Sequence, residues 1–166
     1  MKTLSKIFTL LLTMGLLCQC SSDDDSNTSI PLTFETLIQS DIENLEGSMS
    51  DDAINASNES GILLEAGTVI LYKTKSGRFG KLKLLNIDAA DNYKLTVEAV
   101  TYARDGLVYN SNNFLEVRGT FSADLDEVTT EVSAGDRDFW WERASSTATN
   151  LIPRNGAVFM TFNPNP

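Results

Sequence analysis

Leu115-Glu116-Val117-Arg118-Gly119-Thr120-Phe121-Ser122-Ala123-Asp124-Leu125 alternates without interruption. In an extended chain, Leu115, Val117, Gly119, Phe121, Ala123 and Leu125 share one face, and Glu116, Arg118, Thr120, Ser122 and Asp124 share the other. A helix would scatter both sets around its circumference. A strand with one face to a core and one to water accounts for them.

The same period runs upstream. Tyr93, Leu95, Val97, Ala99, Thr101 and Ala103 make a mostly apolar face against Lys94, Thr96 and Glu98. Before them, residues 68–74 and 79–87 read as the arms of a hairpin around Lys75-Ser76-Gly77, with further turns at 88–92 and 104–106. Residues 107–109 form a short strand, Phe139-Trp140-Trp141-Glu142-Arg143 another, and residues 157–162 a last one after the turn Pro153-Arg154-Asn155-Gly156. About eight strands joined by short turns predict an all-β domain over 61–166, an antiparallel meander forming a small sandwich or barrel.

The region ahead of this domain, 20–60, reads as an acidic tether. Ser21 to Ile30 offers almost nothing to bury. Phe34, Leu37, Ile38, Ile42 and Leu45 then fall at helical spacing, with Thr33 placed to cap and Gly47 to stop, so a short helix is expected over 34–46. Ile30 to Phe34 also alternates like a strand, and 48–60 reads as a loop.

At the very start, Lys2 and Lys6 precede the apolar run Ile7 to Leu17, which has the length of a secretory signal and is too short to span a bilayer. Leu17 stands three before Cys20, and Ser21-Ser22-Asp23-Asp24-Asp25 follows. Here the chain resembles the surface lipoproteins of Bacteroidota. The resemblance covers residues 1–25 and implies that 1–19 is a removed signal peptide. It further implies that Cys20 carries the lipid, that Ser21 to Asp25 is an export signal, and that the protein is held at the outer membrane facing the exterior.

Composition narrows the chemistry. The chain has no histidine, and its two cysteines, Cys18 and Cys20, both lie at the signal boundary. Ser-His and Cys-His nucleophile pairs, histidine-ligated zinc and the commonest general base near neutral pH are therefore excluded. Of 23 acids, eleven lie between Ser21 and Ala66 with no base among them, while from Gly67 onward twelve face eleven bases. An acidic front repels phosphate backbones, so no nucleic-acid partner is expected. No cofactor motif is present.

Two groups of residues are candidates for binding. Trp140 and Trp141 are neighbours on a strand and must point to opposite faces. One can enter the core while the other is covered, contacts a protein, or offers a platform to a sugar ring, with Asp136, Asp138, Glu142 and Arg143 nearby for its hydroxyls. Lys73, Lys75, Arg78, Lys81 and Lys83 crowd the first hairpin. They suit a solvated or protected edge, an anionic partner, or the acidic front folding back on them. Asp124, Asp126, Glu127 and Glu131 lack the spacing of a calcium loop, so no metal site is assigned. The expected role is a non-catalytic binding or accessory module, with a glycan or another envelope component as its ligand. The alternatives are a carboxylate-only polysaccharide hydrolase and a structural subunit of an envelope complex.

Overall fold

A computed structural model describes residues 31–163, in which eleven strands form two antiparallel sheets. The signal peptide, Cys20 and the Ser21 to Asp25 run lie outside the described residues. In the five-stranded sheet, β3 (Val69–Lys73), β4 (Phe79–Asp88), β5 (Lys94–Tyr102) and β6 (Val108–Val117) follow one another as a meander, and β11 (Val158–Phe162) closes the other side against β3. The six-stranded sheet runs in the order β2 (Gly61–Ile62), β1 (Ile54–Asn58), β10 (Thr149–Pro153), β9 (Phe139–Arg143), β7 (Ser122–Asp124) and β8 (Thr129–Thr130). Among the described residues no ladder joins the two sheets, so the fold is a sandwich with no closed barrel.

The alternating stretch 115–125 is split in the structure. β6 ends at Val117 and β7 begins at Ser122, so this segment carries the chain from one sheet to the other. At the crossing Thr120 takes a positive φ of 76° and donates its N–H to Trp141 O at 2.8 Å. Gly119 lies where a Cβ would strike the Asn92 carbonyl oxygen. The alternation tracks the interior that both sheets share, so Leu115, Val117, Ala123 and Leu125 are all buried, whereas Phe121 at the switch is 38% exposed.

Between the sheets, Ile70, Tyr72, Leu82, Leu95, Val97 and Phe159 meet Ala123, Phe139, Trp141 and Leu151 in one cluster. Tyr72 packs against Gly80, its register partner, where a side chain would collide with the ring. Its buried hydroxyl is satisfied by Thr101 Oγ1 at 2.7 Å and by Val100 O, and burial raises its pKa.

A second cluster lies on the outer face of the five-stranded sheet. Phe34, Leu37 and Ile42 cover Val69, Leu71, Phe79 and Tyr102. The expected helix over 34–46 is thereby corrected. Leu37 N–H closes one turn on Thr33 O, Ile38 is extended and 55% exposed, and the α-helix α1 is only Gln39–Glu43, followed by a 3-10 turn at Glu46–Ser48. Two short turns bring the three apolar anchors onto a flat sheet, which one straight helix would touch along a narrower stripe.

The expected loop at 48–60 also differs, because it contains β1, which pairs with β10. Residues from Pro31 onward accordingly form one compact unit rather than a spacer. β1 is Ile-Asn-Ala-Ser-Asn, and a bulge between Asn55 and Ser57 breaks its period, so adjacent Ala56 and Ser57 are both buried.

Lys81 fixes this covering segment. Its amine, on a side chain 4% exposed, donates to Phe34 O and, at 2.7 Å, to Leu37 O, and it lies 4.8 Å from the centre of the Phe34 ring. Burial lowers its pKa. Tyr102 OH donates to the same Leu37 carbonyl at 2.9 Å. Replacing Lys81 with Met keeps the apolar stem and leaves two carbonyls without a charged donor, which should cost about 2–3 kcal/mol. Lys73→Met, which breaks a partly exposed pair with Glu46, should cost less than about 1 kcal/mol. Urea unfolding of both variants checks the ranking.

Candidate functional site

β9 divides the tryptophan pair as strand geometry requires. Trp141 is fully buried, and its indole N–H donates to Tyr93 O at 2.7 Å. Trp140 is half-buried on the outer face of the six-stranded sheet, where its N–H donates to Thr120 O at 3.1 Å.

Register places the neighbours of Trp140. Ile152 on β10 and Ser122 on β7 stand directly across from it, so the three side chains form a row on one face. The next row is Glu142 with Asn150 and Asn55, and the Asn150 amide donates to the Glu142 carboxylate at 2.9 Å. Arg154, two residues past Ile152, lays its guanidinium 5.3 Å from the Trp140 ring centre, and Arg137 reaches Ser122 Oγ at 3.5 Å. An aromatic surface, an amide, a carboxylate and two guanidinium groups therefore share one side of the molecule. Such a set presents an apolar patch together with donors and acceptors of hydrogen bonds, which is the requirement for holding a polyhydroxylated ligand.

The basic hairpin is elsewhere. Lys73, Lys81 and Lys83 lie on the outer face of the five-stranded sheet, across the sandwich from Trp140, and the front of the chain folds back on them. Glu46 pairs with Lys73 at 2.5 Å, and Glu35 with Lys83 at 3.0 Å. Lys83 also holds Glu98 at 2.9 Å, and these carboxylates raise its pKa, Glu98 foremost. The hydrogen bond from Lys83 lowers Glu35 to about 2. In the turn, Lys75 donates to Gly135 O, and Arg78 pairs with Asp126 at 3.2 Å with its guanidinium 3.9 Å from the Tyr109 ring centre. Lys73 and Arg78 meet again, with Arg104, Glu43 and Glu46, around a cleft of about 330 Å³. Its charges are of both signs, and Lys73 and Arg78 already have partners.

Of the other polar residues near the tryptophans, Arg143 turns away to Asn92 and Tyr93, and only Glu142 joins the face. Arg137, Arg154, Asn150 and Ser122 went unread. The hairpin of β9 and β10 holds the signal that finds three of them. Arg143 pairs with Thr149, and counting outward from that pair sets Glu142 opposite Asn150 and brings Asp138 level with Arg154, next to Arg137.

Asp124, Asp126 and Asp138 bring carboxylate oxygens within 4.8 Å of one another. Their oxygens already accept hydrogen bonds. Asp138 takes the N–H groups of Lys75 at 2.8 Å and Leu125 at 2.7 Å, one per oxygen, and so ties the β3–β4 turn to the other sheet. Asp126 takes Thr74 Oγ1, and Asp124 takes the N–H groups of Asp126 and Glu127. Burial pushes Asp138 up to about 6, with Asp126 and Asp124 adding to the rise against the two N–H bonds that lower it. A carboxyl of that kind suits general acid catalysis, but Asp138 is fully buried, and both oxygens are turned to backbone.

Comparison with protein-family models, with curated proteins and with solved structures gave no match.

The raised Asp138 pKa fixes the sign of a pH effect. With an unfolded value near 3.9 and a folded value of about 6, its stabilising contribution is full below about pH 4 and is lost as pH rises through 6. The stability difference between wild type and Asp138→Asn should therefore favour wild type more at pH 4.5 than at pH 7.5, by about 2 kcal/mol. Paired urea titrations at the two pH values measure it. A difference that does not change with pH would place the proton elsewhere.

Proposed function

We propose that this protein is a lipid-anchored, non-catalytic glycan-binding module of the outer membrane, facing the cell exterior. The observation that carries the binding role is the half-exposed Trp140, held in place by its bond to Thr120 on a rigid sheet and bordered by Glu142 and Asn150. A sugar ring brings C–H groups to the indole and hydroxyls to the amide and carboxylate, and a platform fixed beforehand loses little entropy on binding.

The anchoring role rests on the first twenty-five residues. Removal of 1–19 would leave Cys20 acylated as the mature N-terminus, and more than one acyl chain is needed for a durable hold. Ser21 to Ile30 could span at most about 35 Å between lipid and domain. A second reading, as a subunit of an envelope complex, is favoured by the exposed Leu107, Val108, Tyr109 and Phe114 at and near edge strand β6. Strand addition there is opposed by the edge itself, since Asn110 and Asn112 side chains accept the N–H groups of Ser111 and Phe114.

The test is a polysaccharide panel read by affinity electrophoresis with lipid-free residues 21–166 and with Trp140→Ala. The expected result is retardation by at least one polymer and a loss of about tenfold or more in affinity on removing the indole, the size of one well-placed aromatic contact. Because Trp141 supplies the core, near-UV dichroism of the variant should keep its native form. Unchanged affinity in a folded Trp140→Ala protein would remove the platform. For the anchor, Cys20→Ala should abolish palmitate incorporation and release the protein from membranes.

A further inference from the structure

We infer that Arg137 and Arg154 complete the Trp140 face as a subsite for the carboxylate of an acidic sugar, so that the ligand is a polyuronate. This rests on the glycan-binding reading and names the class of glycan.

The two arginines are unlike most bases of the chain. Lys73, Lys75, Arg78, Lys83 and Lys94 each have a carboxylate within ion-pair distance, and Lys81 has two carbonyls. Among the described residues, neither Arg137 nor Arg154 has an ion-pair partner. The Arg137 guanidinium donates only to Ser122 Oγ and the Arg154 guanidinium only to Pro153 O, both at 3.5 Å, the far limit of a hydrogen bond. The Nε atom of each is buried and has no acceptor. Both side chains are only partly buried, so the remainder of each guanidinium, held by nothing closer than 3.5 Å, is what can meet a group that arrives from outside.

Their placement decides what that group is. Arg154 N–H donates to Asp138 O at 2.8 Å, and the Asn155 amide donates to Arg137 O at 2.7 Å, so the two backbones are stitched side by side. Arg137 lies over Ser122, directly across from Trp140, and Arg154 lies against the indole. A guanidinium held against an aromatic ring keeps its N–H edge available to acceptors in its own plane, and that fork matches a planar carboxylate. A sugar resting on the indole beside Arg154 would carry an exocyclic carboxylate to that edge, with the opposite side of the ring left to Glu142 and Asn150.

The experiment compares a polyuronate with its carboxyl-reduced, neutral form and with a sulfated neutral polysaccharide, by titration calorimetry on lipid-free residues 21–166. The polyuronate should bind at least about tenfold tighter than the reduced polymer, the worth of one charge-assisted hydrogen bond. R137M and R154M should each erase most of that preference, lowering polyuronate affinity more than that of the reduced polymer. Should R154M disturb the packing on Trp140, R154K keeps the charge without the fork and should still lower polyuronate affinity. Equal affinity for native and reduced polymer would overturn the carboxylate subsite and leave the glycan reading standing. A preference for the sulfated polymer would also overturn it. Binding of no polysaccharide, acidic or neutral, would remove both.

Discussion

The buried amine of Lys81 decides which face of this sandwich is open. A lysine in the middle of a sheet must reach water or find acceptors, and here the carbonyls of Phe34 and Leu37 are those acceptors. Once they are engaged, Phe34, Leu37 and Ile42 are pinned over Val69, Leu71, Phe79 and Tyr102, and the middle of the outer face of the five-stranded sheet is covered, leaving the mixed-charge cleft beside α1. The six-stranded sheet keeps its outer face, with Trp140 on it. The location of the candidate site thus follows from how a charge on the opposite sheet is solvated.

Charge is distributed to the same end. The acidic front and the basic hairpin look in sequence like two surfaces facing outside partners, but Glu35 and Glu46 neutralise Lys83 and Lys73 within the fold. Arg137 and Arg154 are left on the other face without a carboxylate of their own. In a chain of net charge -10, two neighbouring guanidinium groups without a carboxylate partner lower the repulsion that an anion meets on that face.

The strands legible beforehand were β-rich or alternating runs with a turn at each end, such as β3, β4 and β5. The two-faced reading of Trp140 and Trp141 came from the same period. What could not be read was anything set by tertiary partners. Residues 115–125 alternate through a change of sheet, because burial in a sandwich is defined by the shared interior. β1 has a bulge and small polar residues, so it becomes a strand only through pairing with β10. The helical spacing of Phe34, Leu37 and Ile42 marked the residues that reach the sheet but could not tell one helix from two turns. Arg137 and Arg154 lie outside the strands, so their place shows only by counting outward along the β9–β10 pairing, which needs the register of that hairpin first.

The most direct measurement is amide chemical-shift mapping of 15N-labelled residues 21–166 during titration with a polyuronate. If the open face of the six-stranded sheet is the binding surface, the perturbed amides will cluster at 137–142 and 150–155 and reach Ser122, while α1 and the Lys73 to Lys83 hairpin stay still. Perturbations centred on that hairpin or on the cleft beside α1, with β9 and β10 unmoved, would contradict the assignment of the site.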